Sequence, residues 1–220
     1  MILLTRNTRT LARELSHRGV DVEQFDLLHK QPLPLDESTL ALQHKPYKNV
    51  FVASRFVGEC WPLNVHAQAK FWAPGASTGK WLAQSFESVS WPNDGEGIQA
   101  LQPTDDGAWL ILTAKAGRSA QLAKQVANAD VIELYQTSIS QPELARLALR
   151  LSSPKPVTIV VTNTQVADAL AQLPDAQFCR YIVSSEQVAH CLEQANISDI
   201  NIAGGASEAA LLDAIVKDAS

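Results

Sequence analysis

The sequence lacks most of the signatures that announce a chemistry. Among its 220 residues are three cysteines, Cys60, Cys179 and Cys191, an odd set with no C-x-x-C pair and no histidines at zinc-ligand spacing. A disulfide framework and a Cys/His metal site are not expected; three scattered, buried thiols are. His190 stands beside Cys191 in an apparent helix, where adjacent side chains point in different directions, so the two make no catalytic pair. No G-x-G-x-x-G follows the first apolar run and no Walker motif occurs, which disfavours a dinucleotide or a nucleoside triphosphate. A G-x-S-x-G elbow is also missing. The acidic clusters NDGEG (93–97) and DDG (105–107) read as turns rather than paired catalytic carboxylates.

Positive charge is scarce. Eighteen Lys and Arg against 23 Asp and Glu leave a net charge of −5, and no basic face with interleaved aromatics appears, so no nucleic-acid partner is expected. A small anion remains compatible if local donors hold it. No apolar run reaches the length of a membrane span. The opening MILLT has no basic region leading a long apolar stretch, so it reads as a strand and not an export signal. A cytoplasmic location is expected, and with no apolar stripe left over, a monomer.

What the chain does have is alternation. Apolar residues make up 46% and charged residues 19% of it, an ordinary globular balance. Strand-like runs fall at residues 2–5, 20–28, 49–53, 69–73, 108–113, 130–135, 157–161, 178–183 and 199–203, with FESVSW (86–91) a weaker one. Between them lie amphipathic segments such as TRTLARELSHRG and GRSAQLAKQVAN. Strand–helix alternation implies a doubly wound α/β fold with mainly parallel sheets. The five tryptophans, at 61, 72, 81, 91 and 109, fall in the middle of the chain and are expected to form a core there.

The two halves also match each other. LLTRNTRTLARELSHRGVDVEQFDLL aligns with LILTAKAGRSAQLAKQVANADVIELY, VFVASRFV with IVVTNTQV, and FWAPGASTGKWLAQ with YIVSSEQVAHCLEQ, at an offset near 109 residues. This pattern implies an internal duplication and two domains of about five strands each, a flavodoxin-like count. HKQPLPLDES (29–38) and SISQPE (138–143) occupy equivalent places in the copies. Proline there reads as a connection between bodies.

Ligands of such sheets bind at the carboxyl ends of strands, where free backbone N–H groups gather. Those positions carry Thr5, Arg6, Asn7 and Thr8; Ser54 and Arg55; Gly75, Ala76, Ser77 and Thr78; Lys115, Gly117 and Arg118; Thr162, Asn163 and Thr164; Ser184 and Ser185; Gly204, Gly205 and Ser207. Each Ser, Thr, Asn or Gly among them is alone a good helix cap. Together, with Arg6, Arg55 and Arg118 among them, they suit carboxylates or phosphates. Tyr135, in IELYQTSIS, closes the apolar run at 130–135 with a phenol.

The ordered set ILLTRNTRTLARELSHRGVDVEQFDLLHKQPLP, FVASRFVGEC, GASTGKWL, AGRSAQLAKQ, IELYQTSISQP, TIVVTNTQVADAL and YIVSSEQVAHCLEQANI resembles the uroporphyrinogen-III synthase family over essentially the whole chain. Asn7, Lys115 and Gln187 depart from residues common among its members. The resemblance implies two flavodoxin-like domains with parallel sheets, joined by two linker strands. They would be residues 1–33 with 139–220, and residues 39–136, with linkers near 34–38 and 137–138. It implies a cyclising lyase that closes hydroxymethylbilane, a linear tetrapyrrole with eight carboxylates, to uroporphyrinogen III, inverting the last ring and losing water. No metal or other cofactor is implied. A transient contact with hydroxymethylbilane synthase is the one macromolecular partner it suggests.

By the same resemblance Tyr135 lies in the substrate cleft and assists loss of the hydroxyl. A phenol titrating near ~10 stays protonated at neutral pH and can donate to a leaving oxygen. Ser54 and Thr78 match substrate-binding positions of the family. The expected contacts are therefore Thr5, Arg6, Ser54, Arg55, Ser77, Thr78, Arg118, Thr162, Asn163, Ser184 and Ser185. A two-lobed binding protein for an anionic metabolite is the competing expectation, although such proteins are usually exported.

Overall fold

A computed structural model describes residues 1–6, 9–92, 100–103, 107–153 and 155–218, without the side chains of Arg9 and Arg118. Asn7, Thr8, the NDGEG cluster and Asp105 and Asp106 lie outside the described residues. In chain order the first elements are β1 (Ile2–Leu4), α1 (Arg9–His17), β2 (Val22–Gln24), β3 (Leu28–Pro32), α2 (Glu37–Ala41), β4 (Asn49–Val52), α3 (Val57–Cys60), β5 (Lys70–Trp72) and α4 (Ala76–Leu82). There follow β6 (Val89–Ser90), β7 (Trp109–Ala114), β8 (Ala129–Ile139), α5 (Gln141–Leu151), β9 (Thr158–Val161), α6 (Thr164–Ala171), β10 (Arg180–Val183), α7 (Glu186–Glu193), β11 (Ile200–Ile202) and α8 (Glu208–Asp218). No helix among the described residues is long and apolar enough to cross a membrane.

The chain divides into two compact units, Met1–His29 with Ser138–Ser220, and Lys30–Thr137. The first holds a sheet of order β11-β10-β9-β1-β2, the second a sheet of order β3-β8-β7-β4-β5-β6. Central strands such as NVFV and TIVV are apolar after their first residue because both faces of a parallel sheet are covered. Alternate residues go to opposite cores: Val50, Val52, Leu110 and Leu112 to one, Phe51, Trp109 and Ile111 to the other. The first unit repeats this, with Leu3, Ile159 and Val161 on one face and Ile2, Leu4 and Val160 on the other.

The duplication is visible in the pairing register. Replacing β4, β5, β6, β7 and β8 by β9, β10, β11, β1 and β2 turns the second order into the first, with β3 added at the edge. Asn49 pairs with Lys70 and Trp109, and Thr158 pairs with Arg180 and Ile2. The α/β class with two mostly parallel sheets is thus as expected.

Several local expectations are corrected. The run at 20–28 is two strands, because Phe25 and Leu27 turn into the core between them. β8 does not stop at Tyr135 but continues to Ile139. Its extension lies beside β3: Leu33 N–H donates to Leu134 O and Gln136 Nε2 to Gln31 Oε1, a pairing in which one number rises as the other falls. The two therefore run antiparallel, with Pro32 on the edge strand, where a missing N–H breaks no ladder. Pro142 is not in a connection; it stands in the first turn of α5, where its fixed φ fits. GRSAQLAKQVAN forms only a 3-10 helix, Arg118–Lys124, with no side-chain cap and, among its described side chains, Leu122 as the one buried anchor. Cys179 is buried, but Cys60 and Cys191 are only partly so. Trp61, Trp72 and Trp109 are core, while Trp81 and Trp91 pack half-buried against it.

Candidate functional site

In the Lys30–Thr137 unit the carboxyl edge of the sheet is where polar groups collect. Ser54 follows β4, Gly75 to Thr78 lead into α4 after β5, and Lys115 to Gly117 follow β7. Tyr135 reaches this edge because β8 overshoots its neighbour. Thr113 pairs with Glu133 but Ala114 pairs with Tyr135, so Leu134 is an extra residue, a β-bulge. Strict alternation would send Leu134 and Tyr135 to opposite faces. With the bulge, Ile132, Leu134 and Tyr135 all join one core, and the phenol is re-aimed along that face.

The ring of Tyr135 is held on several sides. The residue is 4% exposed. Phe56 meets it edge to face at 5.1 Å and 76°, and the Lys30 ammonium lies 5.8 Å from its centroid. Its hydroxyl lies 2.9 Å from Ser54 Oγ, a bond in which either atom can be the donor. Burial pushes the phenol above its ordinary value, the Ser54 hydrogen bond pulls part of the way back, and nearby Cys60 adds a smaller upward push. The balance is a phenol that keeps its proton through neutral pH.

The adjoining loop is bound to the same strand. Lys115 N–H donates to Tyr135 O at 2.7 Å, and Ala116 N–H to Glu133 Oε1 at 2.8 Å. Ala116 takes a left-handed φ of 53°. A Cβ on Gly117 would stand 2.7 Å from Thr113 Oγ1 and 2.8 Å from Ala114 O, so only glycine fits the turn.

Elsewhere on this edge Arg55 and Ser77 are exposed and Thr78 is buried in the first turn of α4. Arg118 opens the 3-10 helix, and its side chain lies outside the described residues. In the other unit Thr5, Arg6, Thr162, Asn163, Ser184 and Ser185 also follow strand ends. Several of these have internal partners. Thr5 Oγ1 donates to Val160 O at 2.7 Å, and Arg6 Nη1 to Ala206 O at 3.1 Å. Asn163 Oδ1 accepts from the N–H groups of Gln165 and Val166 as the cap of α6. Ser184 is buried, Thr162 half-buried, and Ser185 an exposed cap residue whose side chain makes no cap bond.

The structure thus joins Tyr135 to Ser54, 81 residues apart. It adds two residues that sequence reasoning missed, Phe56 and Lys30. Phe56 stands two places after Ser54 and would have followed from reading the whole SRF turn as one feature. Lys30 had no local signal, since its place depends on β3 lying beside β8. Chemically, the cluster offers a neutral phenol whose orientation is fixed by a serine, next to the Lys30 ammonium.

Solved structures share this architecture. The chain is similar to uroporphyrinogen-III synthetase from Helicobacter pylori 26695, with a TM-score of 0.63 and 17% identity over 98% of each chain. It is also similar to a mutant uroporphyrinogen III synthase from the extremely thermophilic bacterium Thermus thermophilus, with a TM-score of 0.58 and 12% identity over 98% of this chain and 97% of that one. No family model and no curated protein sequence matches the chain. At these identities the likeness shows the fold, and chemistry has to be argued from the residues.

Proposed function

We propose that this protein is a uroporphyrinogen-III synthase, a cyclising lyase that closes hydroxymethylbilane to uroporphyrinogen III with inversion of the last ring and loss of water. The observation that carries this reading is the Tyr135–Ser54 pair, 2.9 Å apart at a sheet's carboxyl edge, on a strand whose bulge aims the phenol there. When Ser54 donates to the phenol oxygen, the hydrogen of Tyr135 points to an incoming oxygen. A pyrrole nitrogen lone pair expels the terminal hydroxyl as that hydrogen moves to it, so the C–O bond breaks and water leaves. The azafulvenium carbon is then attacked by the substituted carbon of the last ring, giving a spiro intermediate. The original bond from that carbon to its methylene bridge breaks, and the freed methylene closes on the ring's unsubstituted α-carbon, which then loses its proton. The proton shed when the pyrroles are restored balances the one the phenol supplied, and Ser54 steadies the phenolate in the interval.

Regiochemistry is the harder task, and it calls for positioning more than for strong acid; orientation alone contributes several kcal/mol. Arg55, Ser77 and Thr78 are the proposed carboxylate contacts on the edge that holds Tyr135, together with Arg118, the first residue of the 3-10 helix after β7. Arg6, Thr162, Ser184 and Ser185 are the proposed donors of the other unit. Thr5 and Asn163 serve chiefly to hold that unit's edge in shape.

Hydroxymethylbilane cyclises unaided to the symmetrical type I isomer. Incubation with the protein, followed by oxidation and chromatographic separation of the isomers, is expected to give type III. Type I alone, formed at the unaided rate, would refute the proposal.

A further inference from the structure

Beside the phenol stands a cation to which the proposed reaction gives no task. Lys30, the third residue of β3, is exposed, and its ammonium lies 5.6 Å from the centroid of Phe56 and 5.8 Å from that of Tyr135. Those rings meet edge to face, so one ammonium is drawn to both. Cation–π attraction restrains a long side chain, and a restrained lysine loses less rotamer entropy when it grips an anion. The charge also reaches Cys60, where it offsets part of the upward push that burial and Glu59 exert on the thiol.

We infer that Lys30 is a carboxylate-binding residue of this site: its ammonium takes one carboxylate of the tetrapyrrole and fixes the end bearing the leaving hydroxyl against Tyr135. This rests on the proposed reaction and deepens it. Departure of the hydroxyl leaves positive charge on the pyrrole beside Tyr135, and a carboxylate held by Lys30 would stand close enough to that charge to favour it. The same ion pair would make the end of a flexible polyanion the part that is held most closely, which is what choosing between two attacking carbons requires.

The test uses the full chain with Lys30→Met, which keeps an apolar stem against the rings, Lys30→Arg and Lys30→Glu. Loss of one charge-assisted contact at an exposed position is expected to raise KM for hydroxymethylbilane about tenfold in the methionine variant, with kcat held within about twofold. The arginine variant should stay within about threefold of the parent, and the glutamate variant should be worse than methionine. KM of the parent should rise with ionic strength, and that rise should flatten in Lys30→Met. Equilibrium titration with uroporphyrin III, a stable octacarboxylate, gives a readout independent of turnover, and its Kd should weaken by a similar factor. Unchanged KM and Kd in Lys30→Met would overturn the inference, as would a fall in kcat at constant KM and Kd. If the parent formed no type III product, the proposed reaction would fall by itself. The uroporphyrin titration would then decide Lys30: weaker binding by Lys30→Met sustains an anion site, and equal binding overturns it.

Discussion

In the unit built on β9 and β1, side chains at the carboxyl edge are turned inward to the protein: Thr5 on Val160 O and Asn163 on the first N–H groups of α6. In the unit built on β4 and β7, the equivalent edge holds a side-chain pair, Ser54 and Tyr135, that among the described residues caps no helix and binds no carbonyl. The two sheets share strand order and register, so the difference lies in a few positions. Ser54 corresponds to Asn163, 109 residues on, and Tyr135 to Leu28, 107 residues back. β1 and β2 pair without interruption, whereas β7 and β8 carry the bulge that turns Tyr135. A duplicated scaffold therefore supplies the edge twice, and one irregularity with three or four side chains makes one of the two edges chemically distinct.

The strongest way to break this contrast is to remove the phenol. Tyr135→Phe keeps the ring against Phe56 and deletes only the donor, and turnover to the type III isomer is expected to fall by roughly ten- to a hundredfold with little change in the thermal midpoint. Its pH profile gives a second check. The protonated phenol is the active form, and burial raises its titration above the ordinary value near ~10. Activity limited by this group should therefore persist as pH rises through about 10 and fall only above it. An alkaline loss centred well below that would contradict the assignment. Unchanged turnover in Tyr135→Phe would remove the residue from the mechanism.

A second contrast concerns packing. In α4 a Cβ on Gly79 would stand 2.3 Å from the Trp91 ring, while the residue 110 places on, in α7, is the buried Ala189. The second unit thus uses a bare backbone where the first uses a methyl, because a tryptophan lies over it. Gly79→Ala gains helix propensity of about 1 kcal/mol but must displace an indole, and overpacking of this kind costs about 1–3 kcal/mol. The net expectation is destabilisation of the unit by up to about 2 kcal/mol in denaturant titration. Ala189→Gly should cost a similar amount by the opposite route, through lost propensity and a lost buried methyl. A stabilised Gly79→Ala would mean that Trp91 yields freely, and the packing contrast would vanish.

Much of this was legible in the sequence. Apolar runs such as WLILT and TIVV mark buried parallel strands, and the repeated segments anticipate a sheet order that occurs twice. The polar edge was legible as a set, because residues after strands fall there whatever their task. What could not be read was which of them are occupied by the protein itself. Thr5 and Asn163 look no different in sequence from Ser54, and only the carbonyl or N–H that each one meets separates them. The bulge was invisible because a period of two continues across ELY until pairing with β7 is known. Lys30 was hidden for the same reason, since its neighbours Phe56 and Tyr135 are distant in sequence.

The smallest expected effects separate the two counterparts themselves. Asn163→Ala removes the acceptor for two N–H groups of α6, and loss of such a cap costs about 1 kcal/mol, or a fall of about 3 °C in the thermal midpoint for a chain of this size. Ser54→Ala caps nothing, so its cost should appear elsewhere. Losing one neutral hydrogen bond to the phenol should lower turnover about three- to tenfold, with KM and midpoint little changed, because Tyr135 keeps its place in the core but loses the partner that orients its hydrogen. Thermal melts and single-substrate kinetics on both variants decide the matter. A lowered midpoint with full turnover in Ser54→Ala would make it a structural residue like Asn163, and the distinction between the two edges would then rest on Tyr135 alone.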